Sequence, residues 1–151
     1  MALGGMAQAQ GMQVAFGSTA QDSGLPVEVT AANLDVDQND GTAIFTGDVL
    51  VGQGEMRLSA PRVQVVYLAD RSGIARLQAT GGVTLVSGED AAEAKQADYD
   101  VQSGMIEMTG DVLLVQGPAA LTADKMSVDT VAGTAHMNGR VKTVLQPEKQ
   151  Q

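Results

Sequence analysis

Apolar and polar residues alternate with a period of two over most of this chain. In three separate stretches the apolar residues fall on alternate positions, which we call the apolar parity. These residues are Ala43, Phe45, Val49 and Val51; Ile106, Met108, Val112 and Leu114; and Ala135, Met137 and Val141. Because successive side chains of a β-strand point to opposite faces, this spacing predicts strands with one dry and one wet face. A further stretch is two residues longer, with Leu77 and Val83 in register, and an insertion of two keeps every side chain on its face. The pattern predicts an all-β protein.

These strands belong to a unit that occurs four times along the chain. The units align on alanines spaced by 29, 34 and 29 residues, namely Ala31, Ala60, Ala94 and Ala123. Each unit then reaches a glycine turn such as Asp40-Gly41 or Ser103-Gly104, which supplies positive φ between strands. The segment 89–97 has strong helix propensity, but its alignment with the three other copies favours a strand. Four matching units in order predict a stacked repeat architecture.

A glycine in the second segment of each unit predicts a bend in the strand. Gly47, Gly110 and Gly139 each lie six residues after the turn glycine and two before a valine. A missing side chain lets a strand bend sharply or lets another backbone approach closely. In the first segments the apolar parity switches, as between Ala60 and Val63, which is typical of a bulge or corner. Bent strands of this kind would stack into two sheets joined along a spine.

Composition and charge narrow the range of partners. The chain has 151 residues, of which 44% are hydrophobic but only 3% aromatic, and it has no cysteine. The formal net charge is −9 with only nine Lys and Arg, which argues against nucleic acid and against an anionic membrane surface. An anionic ligand would therefore be held by its apolar part or by a local cluster of cations. Without cysteine there is no disulfide framework and no thiolate metal site.

No catalytic, metal or cofactor motif stands out among the polar residues. The single histidine, His136, falls on the polar parity of the fourth unit, where a solvated strand residue is the better interpretation. The segment Asp35–Gly41 resembles a calcium loop, but its glycine is at the seventh position and its twelfth residue is Thr46. An acidic hairpin tip is the better interpretation. Gly81-Gly82 is not followed by a helix or by Lys-Ser/Thr, so it is not a phosphate loop. We therefore expect a protein that is not an enzyme and has no cofactor.

The N-terminus carries a signal of export. Ala7-Gln8-Ala9 has the small-x-small form of a signal-peptidase site, with cleavage expected before Gln10. The alternative is a flexible leader that is rich in Ala and Gly by chance. We expect residues 1–24 to be a signal-peptide remnant or leader, 25–145 a single β-domain, and 146–151 a C-terminal tail. No run of apolar residues approaches the roughly 20 of a membrane span.

The repeated unit resembles a known family. The stretches Thr-Ala-x-x-Leu-x-Val-Asp from Thr30, Gly-Thr-Ala-x-Phe-x-Gly-Asp-Val from Gly41, and Leu-Thr-Ala-Asp-x-Met-x-Val-Asp from Leu121 resemble the OstA-like, LptA-type family of periplasmic lipopolysaccharide-transport proteins. The resemblance covers about residues 25–145. It implies a V-shaped open β-jelly roll of roughly 12–16 short antiparallel strands, built here from the four repeated units.

The resemblance also implies a function and partners. The protein would be a non-catalytic component of the periplasm of a Gram-negative bacterium that shields the lipid A acyl chains of lipopolysaccharide. It would bridge inner-membrane LptC-like and outer-membrane LptD-like components, as a head-to-tail homo-oligomer. An open roll exposes unpaired backbone groups at its terminal strands, here near residues 27–36 and 134–145.

The residues on the apolar parity are the predicted lipid-binding groove. They are Leu34, Val36, Ala43, Phe45, Val49, Val65, Leu77, Val83, Tyr99, Ile106, Met108, Val112, Met126, Met137 and Val141. Flexible thioethers suit a pocket for variable apolar ligands, although methionine is also ordinary core filler. The alternative is a structural β-solenoid that has a dry, side-chain-filled core and polymerises without a ligand.

Overall fold

A computed structural model of the chain describes residues 12–16 and 25–146, which form one antiparallel sheet of eleven strands. The strands are β1 (Met12–Ala15), β2 (Glu28–Thr30), β3 (Asn33–Asp37), β4 (Thr42–Gln53), β5 (Met56–Tyr67), β6 (Ile74–Ser87), β7 (Asp90–Asp100), β8 (Met105–Gln116), β9 (Ala119–Asp129), β10 (Thr134–Asn138) and β11 (Lys142–Leu145). Along the sheet the order is β1-β10-β9-β8-β7-β6-β5-β4-β2. In addition, β3 pairs with β4, and β11 pairs with β9. The sheet therefore has two strands at each end.

Six long strands, β4 to β9, carry the bends that divide the sheet into two arms. Between Thr46 and Val49, β4 advances three residues while β5 advances only two, from Arg62 to Ala60. The strands β6 and β8 carry the same extra residue, so each is a β-bulge. We call arm A the residues 42–46, 62–67, 74–80, 96–100, 105–109 and 125–129 with β1, β3 and β10. Arm B comprises the residues 49–53, 56–60, 83–87, 90–94, 112–116 and 119–123 with β2 and β11.

Four glycines explain the bends sterically; Gly47, Gly81 and Gly110 lie within strands, and Gly139 lies between β10 and β11. Gly47, Gly81, Gly110 and Gly139 have φ of 86°, 92°, 91° and 89°. A Cβ at Gly110 would lie 2.7 Å from the Cβ of Lys95, and one at Gly47 would lie 2.7 Å from the Cβ of Ala32. In every unit the contacted residue is the one that follows the aligned alanine. The predicted bends are confirmed, and the glycine is needed both for its φ and for the space it leaves.

The two arms pack against each other and share one core. The inward residues of both arms are buried in a single hydrophobic cluster. The described residues contain no helix that could cover these faces, so each arm covers the other. A hydrogen bond also joins the arms, since the hydroxyl of Tyr99 in arm A donates to Oε1 of Gln53 in arm B. This is the arrangement expected of an open β-jelly roll.

The all-β, repeat-built fold predicted from the sequence is confirmed. The described residues form eleven strands rather than the roughly 12–16 short ones expected, because six strands continue unbroken through their bends. The segment with helix propensity is strand β7, where pairing with two neighbours outweighs local preference. Strand β1 lies within residues 1–24, which were expected to be outside the domain. It is held there by pairing with β10.

Candidate functional site

The interior between the arms is the candidate functional site. Eleven of the fifteen predicted groove residues are buried there: Ala43, Val49, Val65, Leu77, Val83, Tyr99, Ile106, Met108, Val112, Met126 and Met137. They come from both arms and from strands β4 to β10, so they form a continuous apolar layer along the stack. Their side chains fill the space between the arms.

The remaining four predicted residues lie at the two ends of the stack. Leu34 and Val36 of β3 are 52% and 58% exposed, because none of the described strands covers the outer edge of β3. They stand opposite Phe45 and Ala43 in the register, and Phe45 is itself only partly buried. At the N-terminal end of the stack, apolar side chains at positions that face the interior in other strands are therefore exposed to solvent. At the other end Val141 is partly buried.

The prediction missed many buried apolar residues, such as Leu58 and Leu85, and it also missed Gln53, Thr130 and Phe16. Gln53 is 1% exposed and donates through Nε2 to the carbonyl of Leu25 at 2.8 Å. Gln53 continues the alternation of buried positions in β4, so its spacing could have predicted its burial. Its polar side chain gave no such indication. Thr130 donates to the carbonyl of Gly104 at 2.7 Å. Phe16 is 4% exposed and belongs to the stretch expected to be a leader.

Tyr99 belongs to a small polar group within the mainly apolar interior. Burial raises the pKa of Tyr99, and a hydrogen bond with Thr130 offsets part of this rise. The neutral phenol donates to Gln53 at 2.5 Å. Tyr99 and Gln53 thus form a polar contact between the arms, since they lie on β7 and β4 respectively.

The outer faces of the arms carry many polar side chains, and arm B also exposes Leu50, Val86 and Val115. His136 is exposed on β10, as its parity predicted. At the tip before Gly41, Oδ1 of Asp37 accepts from the backbone N–H groups of Asn39 at 2.9 Å and Asp40 at 3.2 Å. The calcium-like segment is therefore an acidic hairpin tip. The part of the chain that the structure describes has no cluster of three or more His, Asp or Glu suited to a metal ion.

The interior is an apolar cluster to which both arms contribute. Sheet hydrogen bonds run between strands along each arm, and the arms contact each other through side chains. Moving the arms apart would therefore expose apolar surface and break the Tyr99–Gln53 contact without opening a strand ladder. In the described ranges, no helix is long and apolar enough to cross a membrane.

Comparisons with known proteins agree with this architecture. Residues 28–134 match the family model of the LptA/(LptD N-terminal domain) LPS transport protein. The chain is similar in structure to LptH, the LptA homologous periplasmic component of the conserved lipopolysaccharide transport device from Pseudomonas aeruginosa. That match has a TM-score of 0.74 at 19% identity and covers 84% of this chain and 99% of that chain. No curated protein matches significantly in sequence. The expected family is thus confirmed: the chain belongs to the LptA/LptD N-terminal-domain family of lipopolysaccharide transport proteins.

Proposed function

We propose that this protein works in the periplasm and shields the acyl chains of lipopolysaccharide between its two arms. The observation that supports this most directly is the continuous apolar layer from the exposed Leu34 and Val36 to the buried Met137. A layer that runs the whole length of a stack suits a long hydrocarbon ligand better than a compact one. The groove residues predicted from the sequence are the residues we assign to this contact.

Acyl chains would take the place that the opposite arm occupies in this structure. Separating the arms costs the apolar contacts between them, and hydrocarbon inserted into the gap restores burial at about 0.8 kcal/mol per CH₂ group. The strand ladders stay intact, because they run along each arm rather than between the arms. Met108, Met126 and Met137 are unbranched and flexible, so they can adapt to chains of different shape.

The charge of the protein favours binding through the apolar part of the ligand. With a net charge of −9, the chain repels an anionic headgroup over most of its surface. Three of the eight described Lys and Arg residues form ion pairs with carboxylates, as in Arg76–Asp98 at 3.1 Å and Lys95–Asp111 at 3.2 Å. We therefore infer that headgroups stay in solvent beyond the rims of the arms.

We further propose that copies assemble head to tail into a bridge between inner-membrane LptC-like and outer-membrane LptD-like components. Among the described strands, β2 and β3 are edge strands at one end and β11 at the other, and an edge strand can pair with another chain. Val144 and Leu145 on β11 are 46% and 66% exposed, as expected of a strand that another chain covers. Stacked copies would join their apolar interiors end to end.

Site-specific photo-crosslinking tests the proposed contact with lipid. A photoreactive residue at Phe45 or Met108 should capture lipopolysaccharide, whereas one at Glu107, on the exposed face of β8, should not. Glu107 is the matched control because it is the chain neighbour of an inward position on the same strand. Equal labelling at the three positions would contradict binding between the arms.

The closely packed interior favours one other function. A core filled by its own side chains also suits a structural solenoid that polymerises without a ligand. Native mass spectrometry of protein extracted from cells separates the two functions. Bound lipid supports the transport function, and bare polymers support the solenoid.

A further inference from the structure

Strand β1 completes arm A as though it were part of a fifth unit. It runs antiparallel to β10, with Met12 opposite Met137 and Val14 opposite Ala135. After the strand, the backbone N–H of Phe16 donates to the carbonyl of Gly133 at 2.9 Å.

The internal units pair in the same way. Where β9 follows β8, Met126 stands opposite Met108 and Val128 opposite Ile106, and the N–H of Thr130 donates to Gly104 at 2.9 Å. Where β5 follows β4, the N–H of Tyr67 donates to Gly41 at 3.0 Å. The sequences agree as well: Met12-Gln13-Val14 corresponds to Val63-Gln64-Val65 and to Met126-Ser127-Val128. Strand β1 thus has the register and the sequence of the first segment of a unit.

The same segment of the first unit is Leu34-Asp35-Val36 on β3. Among the strands of residues 12–16 and 25–146, only β4 pairs with β3, and Leu34 and Val36 are exposed at its outer edge. Successive antiparallel pairings make β10 run in the direction of β4, so β3 and β1 run in the same direction relative to this sheet. A second copy could therefore place its β3 along β10, with Leu34 opposite Met137 and Val36 opposite Ala135.

We propose that β1 is an internal cap, which occupies the edge of β10 against which β3 of a second copy docks. This inference rests on the head-to-tail assembly proposed above. Because β1 belongs to the same chain as β10, it competes for this edge at an effective concentration on the order of millimolar. The cap would therefore hold free copies apart at micromolar concentrations. On arm B, β11 is the last of the described strands at this end of the sheet. Cleavage at the site predicted before Gln10 would leave β1 in the mature chain.

Two proline variants test whether β1 covers an assembly edge. Residues two apart in an antiparallel strand direct their N–H groups to the same side. Because Phe16 donates to Gly133, the N–H of Val14 also faces β10, and that of Ala15 faces away. Val14→Pro therefore removes a ladder bond that Ala15→Pro keeps. By light scattering after size exclusion, we expect the parent and Ala15→Pro to be monomers at micromolar concentrations. Val14→Pro should form oligomers at a concentration at least tenfold lower than the parent does.

A second pair of variants identifies the docking strand. In the Val14→Pro background, Leu34→Lys should abolish the oligomers, because Leu34 would be buried in the contact. Asp35→Lys carries the same charge on the outward side of β3 and should leave them intact. Circular dichroism checks that each variant folds, and deletion of residues 1–16 replaces Val14→Pro if that variant does not.

The outcomes separate the cap from the assembly on which it rests. Equal oligomers in the parent and in Val14→Pro, both lost on Leu34→Lys, would overturn the cap and keep the assembly. Monomers in every variant at millimolar concentration would overturn both. In that case lipopolysaccharide capture at Phe45 would still test lipid binding independently.

Discussion

Replacement of Gly110 by alanine tests the steric origin of the bends. Gly110 has φ of 91°, and a Cβ there would meet Cβ, Cγ and Cδ of Lys95 at 2.7, 2.9 and 2.9 Å. The nearest of these atoms is fixed to the backbone of β7, so the strands themselves would have to move apart. Gly82 is the matched control, because its φ is 100° but no atom lies within 4 Å of its added Cβ.

The two substitutions share one energetic cost and differ in another. A side chain in the left-handed region costs about 1–2 kcal/mol at either position. Gly110→Ala also overpacks the contact with Lys95, and overpacking costs about 1–3 kcal/mol. We therefore expect the free energy of unfolding to fall by about 2–5 kcal/mol for Gly110→Ala and by about 1–2 kcal/mol for Gly82→Ala.

Urea denaturation followed by circular dichroism measures this difference. The midpoint should fall further for Gly110→Ala than for Gly82→Ala, while the slope of both transitions stays that of the parent. Equal losses of stability in the two variants would refute the account, because the close approach of Lys95 to Gly110 would then contribute nothing to the bend.

Three further results are expected. Tyr99→Phe removes the donor to Gln53 and should lower the free energy of unfolding by about 1–3 kcal/mol, measured by urea denaturation. Burial raises the pKa of Tyr99, so the folded state keeps this proton after the unfolded chain, with a pKa near 10, has lost it. The free energy of unfolding should therefore fall as pH rises from about 10 through the pKa of Tyr99 in the folded state. This fall should be less steep in Tyr99→Phe. An identical dependence on pH in both proteins would contradict this prediction. Met108→Ala should cost about 2–5 kcal/mol because Met108 is fully buried, whereas Leu34→Ala at the exposed end should change stability by less than about 0.5 kcal/mol.

Much of the fold follows from the sequence because one face of every strand is buried. In a strand with period-two spacing, each side chain faces either the core or the solvent. The buried residues in the middle of the stack, from Ala43 to Met137, could therefore be predicted from the sequence. The glycines at the bends could be found because they recur in every unit. Their close contacts with the residue after each aligned alanine could not, since these contacts depend on the register between neighbouring segments.

The ends of the stack were less predictable. Leu34 and Val36 have the parity of groove residues, but they are exposed because burial at an end depends on what pairs there. Strand β1 has only four residues and lies among small residues typical of a leader, so nothing local distinguishes it. Its likeness to Val63-Gln64-Val65 becomes meaningful only when the pairing with β10 is known. The filling of the interior by side chains likewise depends on how closely the arms approach.

The distance between the arms tests the central claim most directly. Spin labels at Glu93 in arm B and Glu107 in arm A would both be exposed on outward faces, and electron spin resonance would measure their separation with and without lipopolysaccharide. Labels at Asp35 and Glu107 are the control, since both lie on arm A about five strand spacings, or roughly 24 Å, apart. If acyl chains bind between the arms, lipopolysaccharide should lengthen the first distance and leave the second unchanged. An unchanged first distance at saturating lipopolysaccharide would contradict the account.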